Sequence, residues 1–113
     1  MQKLLLSEAI QYQEGRFTKR TLFQEGESIV FVLNFLPGQQ LPSHTHPGTD
    51  VYILVLDGTG TVTVDEVDKE VTKGEVIHIG GEETFSFHNS GEIPSSLHVV
   101  LCKIPNAAYA LNV

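Results

Sequence analysis

Basic residues are scarce in this chain: 7 Lys and Arg stand against 14 Asp and Glu, a formal net charge of −7. That balance argues against sequence-independent binding to nucleic acid, which needs a basic surface, and against docking on anionic lipid. The expected partner is a small molecule or another protein chain. Cysteine is almost absent as well. Cys102 stands alone, so no intramolecular disulfide forms and the fold does not depend on an oxidising compartment; the cytoplasm is the expected location. The opening MQKLLLSEAIQ has only three consecutive leucines, too short an apolar run for a secretory signal. No stretch approaches the roughly 20 apolar residues of a membrane-spanning helix. Helical periodicity is missing apart from one turn at Ser7–Gln11, and there is no internal repeat, linker or low-complexity tract. One domain over residues 1–113 is the expectation.

What is present is a series of short strands between turn signals. The expected runs are Phe17–Phe23, Ser28–Leu36, Gln40–His46, Val51–Leu56, Gly60–Asp65, Lys69–Thr72, Glu75–Ile79, Thr84–His88 and Ser95–Ile104. Gly and Pro dipeptides such as Pro37-Gly38, Pro47-Gly48, Asp57-Gly58 and Lys73-Gly74 separate them. Short strands at this spacing indicate an all-β sandwich or barrel. Alternation assigns the faces. Phe85 and Phe87 share one face, expected in the core, whereas His88 and His78 are expected outside. His98 shares a face with Val100, Cys102 and Ile104 and is expected to turn inward. The run SIVFVLNFL is apolar on both faces, so both should be covered. A second subunit is the expected cover, which makes the protein a homodimer.

The segment GQQLPSHTHPGTDVYILVLDG, from Gly38 to Gly58, carries the chemistry. His44 and His46 lie two apart, and side chains at that spacing in a strand project to one face about 7 Å apart. Two imidazoles so placed can close on one divalent metal ion, and Asp50 at the start of the next strand can add a carboxylate. Two imidazoles and one carboxylate are the minimal set for a catalytic ion with open positions. Asp50 can equally serve as a turn residue after Pro47-Gly48.

These residues resemble the cupin superfamily, small jelly-roll barrels also described as double-stranded β-helices. The family's first motif runs G-x5-H-x-H-x3,4-E-x6-G, and Gly38, His44 and His46 match it. Asp50 falls where the pattern has glutamate, but its distance to Gly58 is one residue too long. Either a β-bulge absorbs the extra residue, or Val51 holds the ligand position and the acid is absent. The second motif, G-x5-P-x-G-x2-H-x3-N, lies on Gly74 to Asn89, so the two motifs span residues 38–89. Gly74 and Asn89 match. Gly80 stands at the proline position, Glu82 at the second glycine and Phe85 at the histidine. Phenylalanine cannot ligate a metal, so the fourth family ligand is missing.

An inward His98 would supply the imidazole that Phe85 removes; otherwise it is a core residue with its polar atoms satisfied. Tyr52, Phe85 and Phe87 are expected to line an apolar pocket beside the metal, and Gln40, of the same parity as the histidines, to add a polar group. Cys102 is expected to be a small core hydrophobe. Among the cupins the resemblance implies a metal-dependent enzyme of dioxygenase, isomerase or decarboxylase type, its ion being Fe, Mn, Ni, Cu or Zn. No Arg or Lys falls on the inward faces of the two motifs to assist it. The alternative is a non-catalytic barrel that binds a small apolar or carboxylated ligand with or without a metal, which the change to Phe85 favours. A third possibility is a degenerate barrel whose dimer surface matters more than its interior.

Overall fold

Among the described residues nine strands form where β-branched and aromatic residues alternate between turn residues. A computed structural model describes residues 1–103. In chain order the strands are β1 (Thr18–Glu25), β2 (Ser28–Phe35), β3 (Gln40–His44), β4 (Asp50–Asp57), β5 (Thr59–Val64), β6 (Val67–Thr72), β7 (Val76–Ile79), β8 (Phe85–His88) and β9 (Ser95–Cys102). Each expected strand is found, with shifted ends; Ile104, the expected end of the last, lies outside the described residues. The expected helical turn is a short 3-10 turn over Leu6–Ala9. Among the described residues no helix is long and apolar enough to cross a membrane.

The strands form two antiparallel sheets, ordered β1-β2-β9-β4-β7 and β3-β8-β5-β6. The chain passes repeatedly from one sheet to the other, giving the double-stranded β-helix, or jelly-roll, architecture. Between the sheets Phe35, Phe87, Ile79, Leu97, Val51 and Val55 are all but sealed from solvent. The Phe35 ring lies 5.2 Å from that of Phe17 and 4.8 Å from that of Phe87, so aromatic packing bridges the two sheets. Gly58 must be glycine. Its φ is +75°, and a Cβ there would run into the Pro94 carbonyl and Ser95.

The outer face of β2 is covered at one end by the chain itself. Asn34, fully buried, donates to the Ala9 carbonyl at 2.8 Å and to the Thr18 hydroxyl at 3.0 Å. It accepts from the Ser96 hydroxyl at 2.8 Å, which lies 2.8 Å from the hydroxyl of Tyr12. The N-terminal segment is thereby fastened across β1, β2 and β9. At that end the second cover predicted for SIVFVLNFL is this segment, because a polar residue inside the run can bond to a passing backbone.

Asn89, also fully buried, ties the strand ends together. Its amide nitrogen donates to the carbonyls of Phe35 and Ile93, both at 3.0 Å, and its oxygen accepts the Gly91 N–H at 3.0 Å. Its backbone bonds to Gly38 and Gln39 at 2.8 and 3.0 Å. Removing the amide leaves buried polar groups without partners, at about 1–3 kcal/mol each. We expect Asn89→Ala to lower unfolding stability by about 3 kcal/mol or more, read from urea titration. An unchanged midpoint would show that the amide does not brace the fold.

Candidate functional site

The strand β1 ends one sheet and β3 ends the other, and the space between these edges opens into a cavity of about 150 Å³. Carbon side chains, among them Phe31, Leu33, Val62, Leu97 and Val99, make its walls. Among the described residues the polar ones that line it are His44, His46 and Lys19, and no acidic one does.

His44 reaches the interior through an irregularity. Between Leu41 and His44 the pairing of β3 with β8 slips, so both residues line the cavity despite their odd separation. The His44 Nδ1 lies 2.7 Å from the Pro42 carbonyl oxygen. A proton on Nδ1 donated to that carbonyl leaves the Nε2 lone pair free. His46 follows just beyond the strand. The two imidazole rings stand edge to face with centroids 4.8 Å apart. Phe85, 3% exposed, packs its ring 4.3 Å from that of His44 and 6.0 Å from that of His46. Burial holds the His46 pKa below the ordinary histidine value, and the neighbouring His44 and Lys19 lower it further.

Lys19 is the polar group that the motifs did not reveal. It projects from β1 over the Phe31 ring, its Nζ 4.5 Å from the ring centroid. Its signal was the alternation of Phe17, Lys19 and Thr21 in a strand whose Phe17 is apolar, but β1 lies outside both motifs. Phe31 and Leu41 also line the cavity.

The remaining expected site residues are elsewhere. Parity along β4 turns Val51, Ile53 and Val55 inward, and all three are buried. Asp50 and Tyr52 therefore face out. Asp50 Oδ1 lies 2.7 Å from His78 Nε2, and the Tyr52 ring, 44% exposed, stacks 5.0 Å from that of His78. Tyr52 thus does not line the barrel interior as expected. The predicted bulge does exist, between Val55 and Asp57, yet Val51 is the residue that faces the core. His98 shares a face with Val100 as expected, but it is the outer face, where both border a shallow groove with Tyr52 and His78. The expectation of an inward His98 is corrected: Leu97, Val99 and Leu101 fill the inner positions of β9. Gln40 is exposed, because the slip in β3 breaks the parity that linked it to His44. His88 is exposed and His78 points outward, as expected.

The structure thus brings together His44, His46 and Phe85, and not Asp50, His98, Tyr52 or Gln40. Among the described residues no group of three or more His, Cys, Asp or Glu side chains could hold a metal ion. Two imidazoles fall short of the three protein ligands of a catalytic zinc or of a two-histidine, one-carboxylate iron site. The residues present do not fit a metal centre closed by the protein.

Comparison with known proteins agrees with the fold. Residues 31–101 match the cupin domain family Cupin_2, and the chain belongs to it. A dimethylsulfoniopropionate lyase, DddW of Ruegeria pomeroyi, is 34% identical over 73 residues, 60% of this chain. The aligned part is 47% of that enzyme, so the chain spans about half its length. The crystal structure of TT1209 from Thermus thermophilus superposes with a TM-score of 0.85 at 25% identity, covering 93% of this chain and all of that one. A double-stranded β-helix protein from Klebsiella pneumoniae gives a TM-score of 0.84 at 19% identity over 90% of each chain.

Because the folded His46 resists protonation, the unfolded chain binds more protons once the pH falls below the ordinary histidine pKa of about 6.5. Stability is therefore complete above that pH and declines as the pH drops through the lower folded value. NMR titration should place the His46 midpoint below that of an exposed histidine, and Lys19→Met should move it upward. A His46 midpoint at the ordinary value would contradict this.

Proposed function

We propose that this cupin is a small-molecule-binding barrel that holds a small, mostly apolar ligand between its sheets and orients it through the imidazoles of His44 and His46. The observation that carries this reading is the cavity of about 150 Å³, carbon-walled, with its polar groups confined to His44, His46 and Lys19. An apolar body placed there gains roughly 25 cal/mol for each Å² removed from water, and a few convergent polar groups suffice to set its orientation. Apolar cavities of about this volume admit molecules the size of benzene.

The metal-dependent enzyme is the second reading. What favours it is the hydrogen bond from His44 Nδ1 to the Pro42 carbonyl, since ligating histidines are commonly held this way, together with a His46 that resists protonation. The likeness to a dimethylsulfoniopropionate lyase also supports it. The shortage of protein donors ranks this reading second.

One experiment separates the two. Benzyl alcohol titrated into the protein should shift the NMR resonances of cavity residues, and Leu101→Phe, which narrows the cavity, should weaken binding at least about tenfold. Unaltered binding by Leu101→Phe would place the ligand elsewhere and defeat the proposal. Elemental analysis after loading with Fe(II), Mn(II), Ni(II), Cu(II) and Zn(II), then dialysis, should find less than one ion per chain. Phe85→His, which restores a third imidazole beside His44, should retain it. Stoichiometric metal in the unaltered protein would promote the enzyme reading.

We also propose a cytoplasmic homodimer. Support comes from the outer face of the five-stranded sheet, where Tyr52 and Val76 are 44% and 77% exposed. A light-scattering mass of one chain would overturn the dimer.

A further inference from the structure

We infer that the ligand of the barrel is a small organic anion, and that Lys19 recognises its charge. This rests on the binding reading above and adds to it the chemical class of the ligand.

The charge arrangement around the cavity is the opposite of that of the chain. Acidic residues outnumber basic ones 14 to 7, yet among the described residues none lines the cavity, while a lysine and two histidines do. Among the described residues the ion pairs are Lys73 with Asp57 and His78 with Asp50. Lys19 belongs to neither. Its ammonium is instead held against the face of Phe31, 4.5 Å from the centroid, and Phe31 is itself a cavity wall. The attraction between a cation and a ring face orders a side chain that would otherwise sample many rotamers. Lys19 comes from the edge strand of one sheet, and His44 from the edge strand of the other. The lysine and the imidazole therefore reach the cavity from different sheets.

A carboxylate fits this frame. The Lys19 ammonium donates a charge-assisted hydrogen bond to its oxygens, while the rest of the molecule lies against Phe31, Val62, Phe87 and Leu97. A cation would meet Lys19 with nothing acidic in the cavity to offset the repulsion. The wall volume sets the other bound, an apolar body of about six carbons. A net negative surface repels anions generally, so a local positive opening also selects where an anion enters. The competing account is a lysine that merely lays its stem over Phe31 and keeps its head in water. Such a lysine would not discriminate between ligands by charge.

The test compares benzoate with its neutral counterpart benzyl alcohol by calorimetry at low salt, using the full chain. The unaltered protein should bind benzoate about tenfold more tightly than benzyl alcohol. Lys19→Met, which keeps the stem and removes the charge, should abolish that preference by weakening benzoate binding about tenfold. Lys19→Arg should preserve most of it. Equal affinity for the two probes in the unaltered protein, or a benzoate affinity indifferent to Lys19→Met, overturns the inference while the binding barrel stands. Failure of both probes to bind overturns the binding barrel, and the inference with it.

Discussion

The buried amide of Asn89 positions most of what surrounds the cavity. All its polar atoms are satisfied, by Phe35 and Ile93 carbonyls and by the Gly91 N–H, as a fully buried amide requires. Its backbone simultaneously grips Gly38 and Gln39. The residue therefore sets the end of β2, the start of β3 and the loop into β9 relative to β8. From that tie the pairing of β3 with β8 follows, Gln40 with His88, Leu41 with Phe87, and His44 with Phe85. The imidazole of His44 meets the Phe85 ring because Asn89 holds their strands in this register.

Within this frame, two slips in the strand period decide what the interior contains. The slip between Leu41 and His44 turns both residues inward. The slip between Val55 and Asp57 absorbs one residue before the Gly58 turn, and upstream of it Val51 faces in while Asp50 faces out to His78. Among the described residues the cavity is left with two imidazoles, an aromatic ring where a third would stand, and no acid. Such a lining suits binding and orientation better than it suits closing on a metal. The ammonium of Lys19 then makes the opening selective by charge.

Much of this was legible in the residues. Glycine and proline punctuation marked nine strands, and the Gly38, His44 and His46 spacing marked the cupin barrel. Phe85 at the histidine position announced a missing donor. Lys19 was not legible, because β1 carries no motif and its approach to the cavity depends on the opposite sheet. Gln40 was misplaced for a local reason, a slip in β3 around Pro42, a residue that strands carry at edges or bulges.

Asp50, Tyr52 and His98 teach a more general lesson. The period of two correctly grouped His98 with Val100 and Cys102, since alternation is a property of the extended backbone alone. It could not say which of the two groups lies inside, because His98 and Val100 stand on one side of β9 while Leu97, Val99 and Leu101 stand on the other, and both sides are largely apolar. The sequence by itself thus determined the strands, their turns, the paired histidines and the lost third imidazole. Only the packing of the second sheet decided which face became the interior, because burial is conferred by what covers a face and not by the strand that presents it.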